Sequence, residues 1–258
     1  VLFNGEQIVG MRGEDAAALA FFRHGIMPFQ GQHDNVNNER RHVTLPILLG
    51  RHPYDSESCF PETRRGELVL EVDIDIADTG YDALRYSVDV LELPEAKPKE
   101  FEKKVQMTST YAATGQQDLD LPIGNIIRGL MLWGTTGFAG ATPVPSFGQL
   151  KLLLNNSENQ FSAIDWETLQ MLYTLWGRQP PAYDAHKHEF EPVAGVQTLG
   201  GPVDMGEGGW ELYGFMELDP TGNDEFSLDT SKANAFKLRC DVETANAVRI
   251  IPIERIGL

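Results

Sequence analysis

The chain has 258 residues, a formal net charge of −17 at pH 7, and apolar and charged fractions of 41% and 23%. These fractions predict a folded protein with a packed core. The acidic balance argues against binding nucleic acid through the overall field and against adhesion to anionic lipid through a basic face. No apolar run approaches the roughly 20 residues of a membrane-spanning helix, since the longest is interrupted by Arg128 and Gly129.

The first 25 residues predict a short strand, a turn and a helix. Residues 1–3 are apolar, and Asn4-Gly5 is a dipeptide that tolerates the left-handed backbone of a tight turn. Residues 13–24 predict a helix, because acidic residues favour its N-terminal end and Gly25 provides a natural stop.

Three further strands are expected in the first half, at 41–49, 67–76 and 84–92. In 67–76 apolar residues alternate with mostly acidic ones, which predicts a half-buried antiparallel strand with an acidic outer face. The stretch 93–104 contains two prolines and many charges and is predicted to be a linker. We place a boundary near residue 103, between a first domain over 1–103 and a second over 104–258.

The second half predicts the same kinds of element. Strands are expected, in chain order, at 126–133, 147–154, 210–216, 235–242 and 247–253. An acid-started helix is expected from Asp165 to Trp176. The stretch 179–209 is the longest irregular piece, and loops of this length are usually functional or mobile. Its role is left open.

The two halves therefore repeat one order: an asparagine-turn strand, a helix, a long loop and three strands. A period of roughly 150 residues is too long for a solenoid unit and predicts a duplicated domain. The second copy has about 45 residues before its asparagine-turn strand, whereas the first copy opens on it. We expect that roughly 40–50 further residues, encoding two strands, precede Val1.

Many short alternating strands without a βαβ rhythm predict two facing antiparallel sheets. The predicted fold is all-β, with two tandem jelly-roll β-sandwiches that each contain one short helix. Core packing is expected for the four tryptophans, at 133, 166, 176 and 210. Cys59 and Cys240 are expected to be buried free thiols.

One known family is similar to this arrangement. The segment Leu121-Pro122-Ile123-Gly124, the apolar strand behind it, the asparagine-turn strand, the Asp-started helix and the closing strands resemble one half of a double jelly-roll major capsid protein. Such proteins form the shells of membrane-containing icosahedral viruses such as corticoviruses and tectiviruses. The first copy matches from Val1 onward and lacks the counterpart of 121–148.

The resemblance implies a structural virion protein of a bacteriophage, located in the capsid shell. It implies homotrimers of pseudo-hexagonal outline, with helices packed near neighbouring sandwiches. Its partners would be further copies, neighbouring capsomers, and penton or minor capsid proteins. The internal viral membrane would lie close without a transmembrane segment in the chain, and nucleic acid would not be bound directly.

Few residues predict chemistry. His186 and His188 lie two apart and could share a metal as in a cupin, but Glu191 is too close for the usual cupin spacing and no histidine follows. Acidic loop residues could form a structural calcium site, although no regular spacing is present: Asp204, Glu207, Asp219, Asn223 and Asp224. We expect no catalytic, cofactor-binding or metal-binding residues, no cofactor and no enzymatic activity.

The sequence leaves two other functions open. A carbohydrate-binding or receptor-binding jelly-roll protein is the main alternative, and a bicupin-like metalloenzyme is the less favoured one. The acidic face at Glu67, Glu71, Asp73 and Asp75 is most simply solvated. It could also form a subunit contact with arginines of a neighbour, for which the candidates are Arg12, Arg23, Arg40, Arg41, Arg64 and Arg65.

Overall fold

The computed structural model describes residues 1–26, 29–31, 42–74, 85–135, 145–175, 190–191, 196–197 and 212–258. Strands predominate in this part of the chain, and its helices are α1 (Gly13–His24) and α2 (Trp166–Leu175). The prediction of an all-β fold with one short helix in each half is therefore confirmed. The predicted bounds of the first helix agree with α1 at both ends.

The strands are short in the first half and long in the second. In chain order they are β1 (Leu2–Phe3), β2 (Glu6–Gln7), β3 (Val9–Gly10), β4 (Phe29–Gly31), β5 (His42–Thr44), β6 (Leu68–Val69), β7 (Glu100–Val105), β8 (Met107–Thr110), β9 (Gly115–Asp120), β10 (Ile126–Gly134), β11 (Phe147–Leu154), β12 (Ser157–Asp165), β13 (Phe190–Glu191), β14 (Val196–Gln197), β15 (Tyr213–Glu217), β16 (Leu228–Asp229), β17 (Phe236–Val242) and β18 (Ala247–Gly257).

The second half forms a jelly roll between Glu100 and Gly257. One sheet has the order β15-β10-β18-β7, in which β8 also pairs with β18, and the other has the order β12-β11-β17-β9. In chain order the strands pass repeatedly from one sheet to the other, as in a jelly roll, while β11 and β12 form a hairpin within one sheet. All pairings among these strands are antiparallel.

The core of the jelly roll lies between its two sheets. Leu130 and Leu132 of β10 are fully buried there, together with residues of the facing sheet such as Leu150 and Leu238. Trp166 of α2 closes one end of this core and packs against Phe147, with ring centroids 5.1 Å apart. The expected core positions of Trp133 and Trp166 are confirmed, whereas Trp176 and Trp210 lie outside the described residues.

Helix α1 covers the outer face of the sheet β15-β10-β18-β7. Its Phe21 and Phe22 pack with Met131 and Trp133, which alternate with the inward-facing leucines of β10. Both faces of β10 are thus buried, which explains why its sequence is a nearly continuous apolar run. Gly25 ends α1 in the left-handed conformation, with φ of 66°.

The closing strands expected in the first half are much shorter than predicted. Within the described part of this stretch, residues 67–74, only Leu68–Val69 is a strand, and Leu70 and Val72 are exposed. Residues 85–92 form no strand, and Tyr86 and Val90 are each 75% exposed. The alternating pattern identifies a potential buried face, but a strand also needs a hydrogen-bonded neighbour on the sheet. Among the described residues of 67–76 and 84–92, only β6 has such a neighbour, which is β1 on one of its edges.

The C-terminal end of the predicted linker is a strand in the structure. Residues 100–105 form β7, an integral strand that pairs with β18 and, in parallel, with β3. Its charges suit a buried strand because oppositely charged side chains from other segments neutralise them, as described below. The division of the chain into domains 1–103 and 104–258 stays a prediction, with β7 spanning the proposed boundary.

Candidate functional site

Buried charge is concentrated where the first half meets the outer face of the sheet β15-β10-β18-β7. Five cations and four carboxylates take part, and we call them the charge cluster. Its cations are Arg23, Arg51, Lys104, Arg128 and Arg255, and its carboxylates are Glu100, Glu102, Asp219 and Asp224. Arg23 and Arg51 come from the first half, so the charge cluster joins the two halves.

Arg128 lies at the centre of the charge cluster and is fully buried in β10. The register between β10 and β18 shifts between Ile127 and Gly129, which makes Arg128 the extra residue of a β-bulge. Ile127 can therefore remain in the core while Arg128 reaches the carboxylates. The Arg128 guanidinium donates to Asp224 at 2.7 and 2.9 Å and to Glu102 at 3.3 Å, and it also contacts Glu100.

Cationic side chains from both halves of the chain contact the carboxylate of Glu102. Arg23 of α1 approaches its two carboxylate oxygens at 2.6 and 2.9 Å, and Lys104 lies 2.8 Å away. The Lys104 ammonium also donates to the carbonyl of Leu48 at 2.7 Å. Alternate residues of a strand project to one side, so Glu100, Glu102 and Lys104 present their charges to the same face of β7.

The pKa values of the carboxylates reflect this environment. Burial opposes ionisation of Glu102, but Arg23, Lys104 and Arg128 outweigh burial and lower its pKa to about 2. Burial also opposes ionisation of Asp224, whose pKa is nevertheless held below its usual range by Arg128, Arg51 and Arg255. Both groups therefore remain charged at neutral pH.

A second set of polar contacts fixes the opposite end of α1. Arg249 of β18 lies 2.7 Å from Asp15 and 2.8 Å from Glu14, both in the first turn of the helix. Tyr213 donates its hydroxyl hydrogen to Asp15 at 2.9 Å. The Arg249 guanidinium also lies 3.5 Å from the ring centroid of Trp133, a cation–π arrangement. Helix α1 is thus fixed at both ends, with apolar packing between them.

These contacts favour a structural role over a catalytic one. Glu102 and Asp224, whose pKa values are lowered by their cationic partners, are poor candidates for general acid or base chemistry near neutral pH. Charged groups on two segments instead specify one relative placement of those segments. The charge cluster therefore fixes how the first half sits on the jelly roll.

The halves also share a three-strand arrangement. The first half contains the sheet β2-β1-β6, and the second half contains the same order in β12-β11-β17. In both, the first two strands in chain order form a hairpin, with Asn4 and Asn155 in the left-handed conformation at φ of 50° and 51°. The N–H of Asn4 donates to the carbonyl of Glu67 at 2.9 Å, and the N–H of Asn155 donates to that of Ala235 at 2.9 Å.

This shared hydrogen bond sets the same register in both halves. Phe3 lies opposite Leu68, as Leu154 lies opposite Phe236. Counting along from these pairs aligns two apolar series, Leu68, Leu70, Val72 and Ile74 in the first half with Phe236, Leu238, Cys240 and Val242 in the second. The second series is buried in the core. The repeated order predicted from the sequence is therefore present in these strands as a matching register.

Several residues considered from the sequence have clear positions. Asp219 and Asp224 belong to the charge cluster, so arginines occupy the carboxylates that were considered for calcium, and calcium binding stays untested. Arg23 was considered for a subunit contact, but it is buried against Glu102 within the chain. Cys59 and Cys240 are free, as predicted; Cys240 is buried, whereas Cys59 is only partly buried and lies in a loop.

The other candidates lie outside the described residues or in separate places. The residues outside the described part are His186, His188, Asp204, Glu207, Asp75, Arg40 and Arg41, together with most of 179–209. In the described part of the chain, no group of three or more His, Cys, Asp and Glu side chains is placed to hold a metal ion. No helix there has the length and apolar character needed to cross a membrane.

Sequence reasoning missed the charge cluster. Its carboxylates and cations come from six separate segments, so spacing alone does not bring them together. One local signal was present: Glu100, Glu102 and Lys104 occupy alternate positions, which is the period of a strand rather than of a linker.

Comparisons with known proteins give structural matches only. No family model matches the chain, and no curated protein matches it. The major capsid protein P2 from bacteriophage PM2 matches with a TM-score of 0.40 and 10% identity, over 62% of this chain and 45% of that one. The STIV MCP matches with a TM-score of 0.39 and 8% identity, over 61% and 42% of the two chains. The mavirus major capsid protein matches with a TM-score of 0.29 and 8% identity, over 63% and 39%. The chain spans less than half the length of each.

Proposed function

We propose that this chain is a structural virion protein, a major capsid protein without catalytic activity. In this proposal three copies form a homotrimer of pseudo-hexagonal outline, and the trimers tile an icosahedral shell over an internal membrane. Its partners are further copies, neighbouring capsomers, and penton or minor capsid proteins, and it makes no direct contact with nucleic acid.

The observation that carries the proposal is the matching register of β2-β1-β6 and β12-β11-β17 in one chain. Two related units in each protomer would give a trimer six similar units around a three-fold axis. Such a ring has nearly hexagonal symmetry although it contains only three chains. The structural matches named above are major capsid proteins, and a trimer of nearly hexagonal outline suits that role.

The charge cluster and the contacts of Arg249 support the same role. A shell tile needs a fixed relation between its parts, because its neighbours must meet the same surface in each copy. Helix α1 is held on the outer face of the jelly roll by ion pairs at both ends and by aromatic packing between them. This is more rigid than the weak domain contacts that permit relative motion.

The oligomeric state of the purified protein tests the proposal. We expect size-exclusion chromatography with light scattering to give the mass of three chains, and electron microscopy to show particles with six lobes. A stable monomer at high protein concentration would contradict the proposal. Glycan binding by such a monomer would instead support the carbohydrate-binding alternative.

A further inference from the structure

The segment from Leu68 to Ile74 has one paired edge and one open edge. Leu68 and Val69 pair with β1, and no other strand of the described residues pairs with them. Its equivalent in the second half, β17, is paired on both edges, with β11 on one side and β9 on the other. The open edge of the first segment is thus the counterpart of the edge that β9 occupies.

The open edge has the features of a strand-acceptor site. Leu70 and Val72 are 39% and 53% exposed, although their equivalents Leu238 and Cys240 are completely buried. A row of unpaired backbone groups beside exposed apolar side chains is a template for an added strand. Pairing along this edge would satisfy the backbone and begin to cover the apolar face.

Charge specifies what kind of strand fits. On β17 the outward-facing Arg239 lies directly opposite Asp118 of β9, and its guanidinium donates to both carboxylate oxygens at 2.6 and 2.8 Å. In the aligned register Glu71 takes the position of Arg239. No side chain in the described part of the chain forms an ion pair with Glu71, although the α-amino group of Val1 lies near enough for Glu71 to influence its pKa.

We propose that the open edge of 68–74 binds an extended polypeptide segment as an antiparallel strand, with an apolar residue opposite Leu70 and a lysine or arginine opposite Glu71. The partner is a segment other than the described residues of this chain, among which only β1 pairs with 68–69. A second copy of the 67–74 segment is excluded as the partner by charge, because this segment is acidic and contains no lysine or arginine. Strand pairing at this edge does not require shell assembly.

Two synthetic peptides test the proposal. One has the sequence of residues 114–121, which includes β9, and the other has the same sequence with Asp118→Lys. In the aligned register, position 118 of either peptide lies opposite Glu71 and position 119 lies opposite Leu70. We expect the protein to prefer the Asp118→Lys peptide by roughly three- to five-fold, the effect of one cross-strand charge pair.

A charge exchange in the protein provides the decisive control. The Glu71→Lys variant is expected to reverse the preference and to bind the unmodified peptide more tightly. The Glu167→Lys variant makes the same charge change on an exposed position of α2 and is expected to leave the preference unchanged. Binding is measured by NMR titration, with amide hydrogen exchange showing protection at 69–74.

A tethered form of each peptide allows binding to be measured even if the free peptide binds weakly. Each peptide is also fused to the N-terminus of the protein through a flexible glycine–serine linker, which raises its effective concentration to the millimolar range. Protection of amides 69–74 that is greater with the Asp118→Lys fusion supports the proposal. Equal protection by both fusions, protection by neither, or a preference that Glu71→Lys fails to reverse overturns it.

Discussion

The segments 68–74 and 236–242 have the same pattern and register but different environments. Both begin opposite an asparagine-turn strand, and both place apolar residues at alternate positions. In 236–242 each of those residues is buried, whereas in 68–74 Leu70 and Val72 are exposed. The two segments differ in their neighbours: β17 has strands on both edges and a second sheet facing it, whereas within the described residues β6 pairs only with β1. Alternation therefore specifies which face can be buried, and the neighbours decide whether it is.

The largest effect is expected at the junction between the halves. Replacing Arg128 by methionine removes the central cation and leaves Glu100, Glu102 and Asp224 with fewer partners in a buried place. Loss of one partner of a buried ion pair typically costs about 3–5 kcal/mol. We expect a decrease of that size in the free energy of unfolding, measured with urea.

The matched control is Arg239→Met on β17. Arg239 also binds a carboxylate with two hydrogen bonds, but this pair lies at the surface, with side-chain exposures of 36% and 31%. Exposed pairs contribute little because both ions keep most of their hydration, so a much smaller loss is expected than for Arg128→Met. Equal losses for the two variants would show that burial of the charge cluster does not determine its contribution.

The next largest effect is expected for one of two leucines at equivalent positions of the two halves. Leu238→Ala removes a fully buried side chain from the core between the sheets and is expected to cost about 2–5 kcal/mol. Leu70→Ala makes the same change at the aligned exposed position and is expected to lie within about 0.5 kcal/mol of the unmodified protein. Urea unfolding of both variants measures the difference. A large loss for Leu70→Ala would mean that 68–74 is buried in solution.

A pH dependence is expected from the contact between α1 and β7. Burial, Lys104 and Arg23 lower the pKa of His24 in the folded protein to about 3, whereas an unfolded chain has a value near 6.5. The unfolded state therefore binds more protons between those two pH values. Consequently the free energy of unfolding should fall as the pH decreases from about 6.5 toward 3.

His24→Gln separates this contribution from that of the carboxylates. Glu102, with its pKa of about 2, stabilises the folded state above the usual glutamate range and loses that effect only as the pH falls below about 4.3. The variant should therefore show a flatter decline from pH 6.5 down to about 3, and the decline that remains below about pH 4.3 is that of the carboxylates. His52→Gln is the comparison: burial, Arg23 and Arg51 also lower the pKa of His52, but this ring is more exposed, so its variant should flatten the decline less than His24→Gln does. An unchanged dependence of the unfolding free energy on pH for His24→Gln would contradict the assignment of this decline to His24.

Local features of the fold were predictable from the sequence. The acidic first turn and Gly25 define α1, the asparagine turns define the two hairpins, and the apolar run at 126–133 defines β10. Each depends on residues close together in the chain. The repeated order could be recognised for the same reason, because it is a series of such local signals.

Non-local features were not predictable in the same way. The lengths of the strands at 67–76 and 84–92 depend on partner strands, which a pattern of alternation cannot supply. The charge cluster depends on Arg23, Arg51 and Arg128 converging on carboxylates far away in the sequence. Glu100 and Glu102 alone indicate a solvated segment, and only these distant cations make a buried strand favourable.

The smallest effect concerns the two asparagine turns, which share a backbone conformation but differ in side-chain contacts. The Oδ1 of Asn155 accepts hydrogen bonds from the backbone N–H groups of Asn234 and Ala235, at 2.8 and 3.3 Å, whereas the side chain of Asn4 makes none within the described residues. Glycine tolerates the left-handed backbone, so replacement by glycine removes the side-chain bonds without a conformational penalty. Asn155→Gly is therefore expected to cost about 1 kcal/mol and Asn4→Gly to have little effect. Thermal unfolding of the two variants measures this difference, and equal losses would mean that the turn at Asn155 is stabilised by its backbone conformation alone.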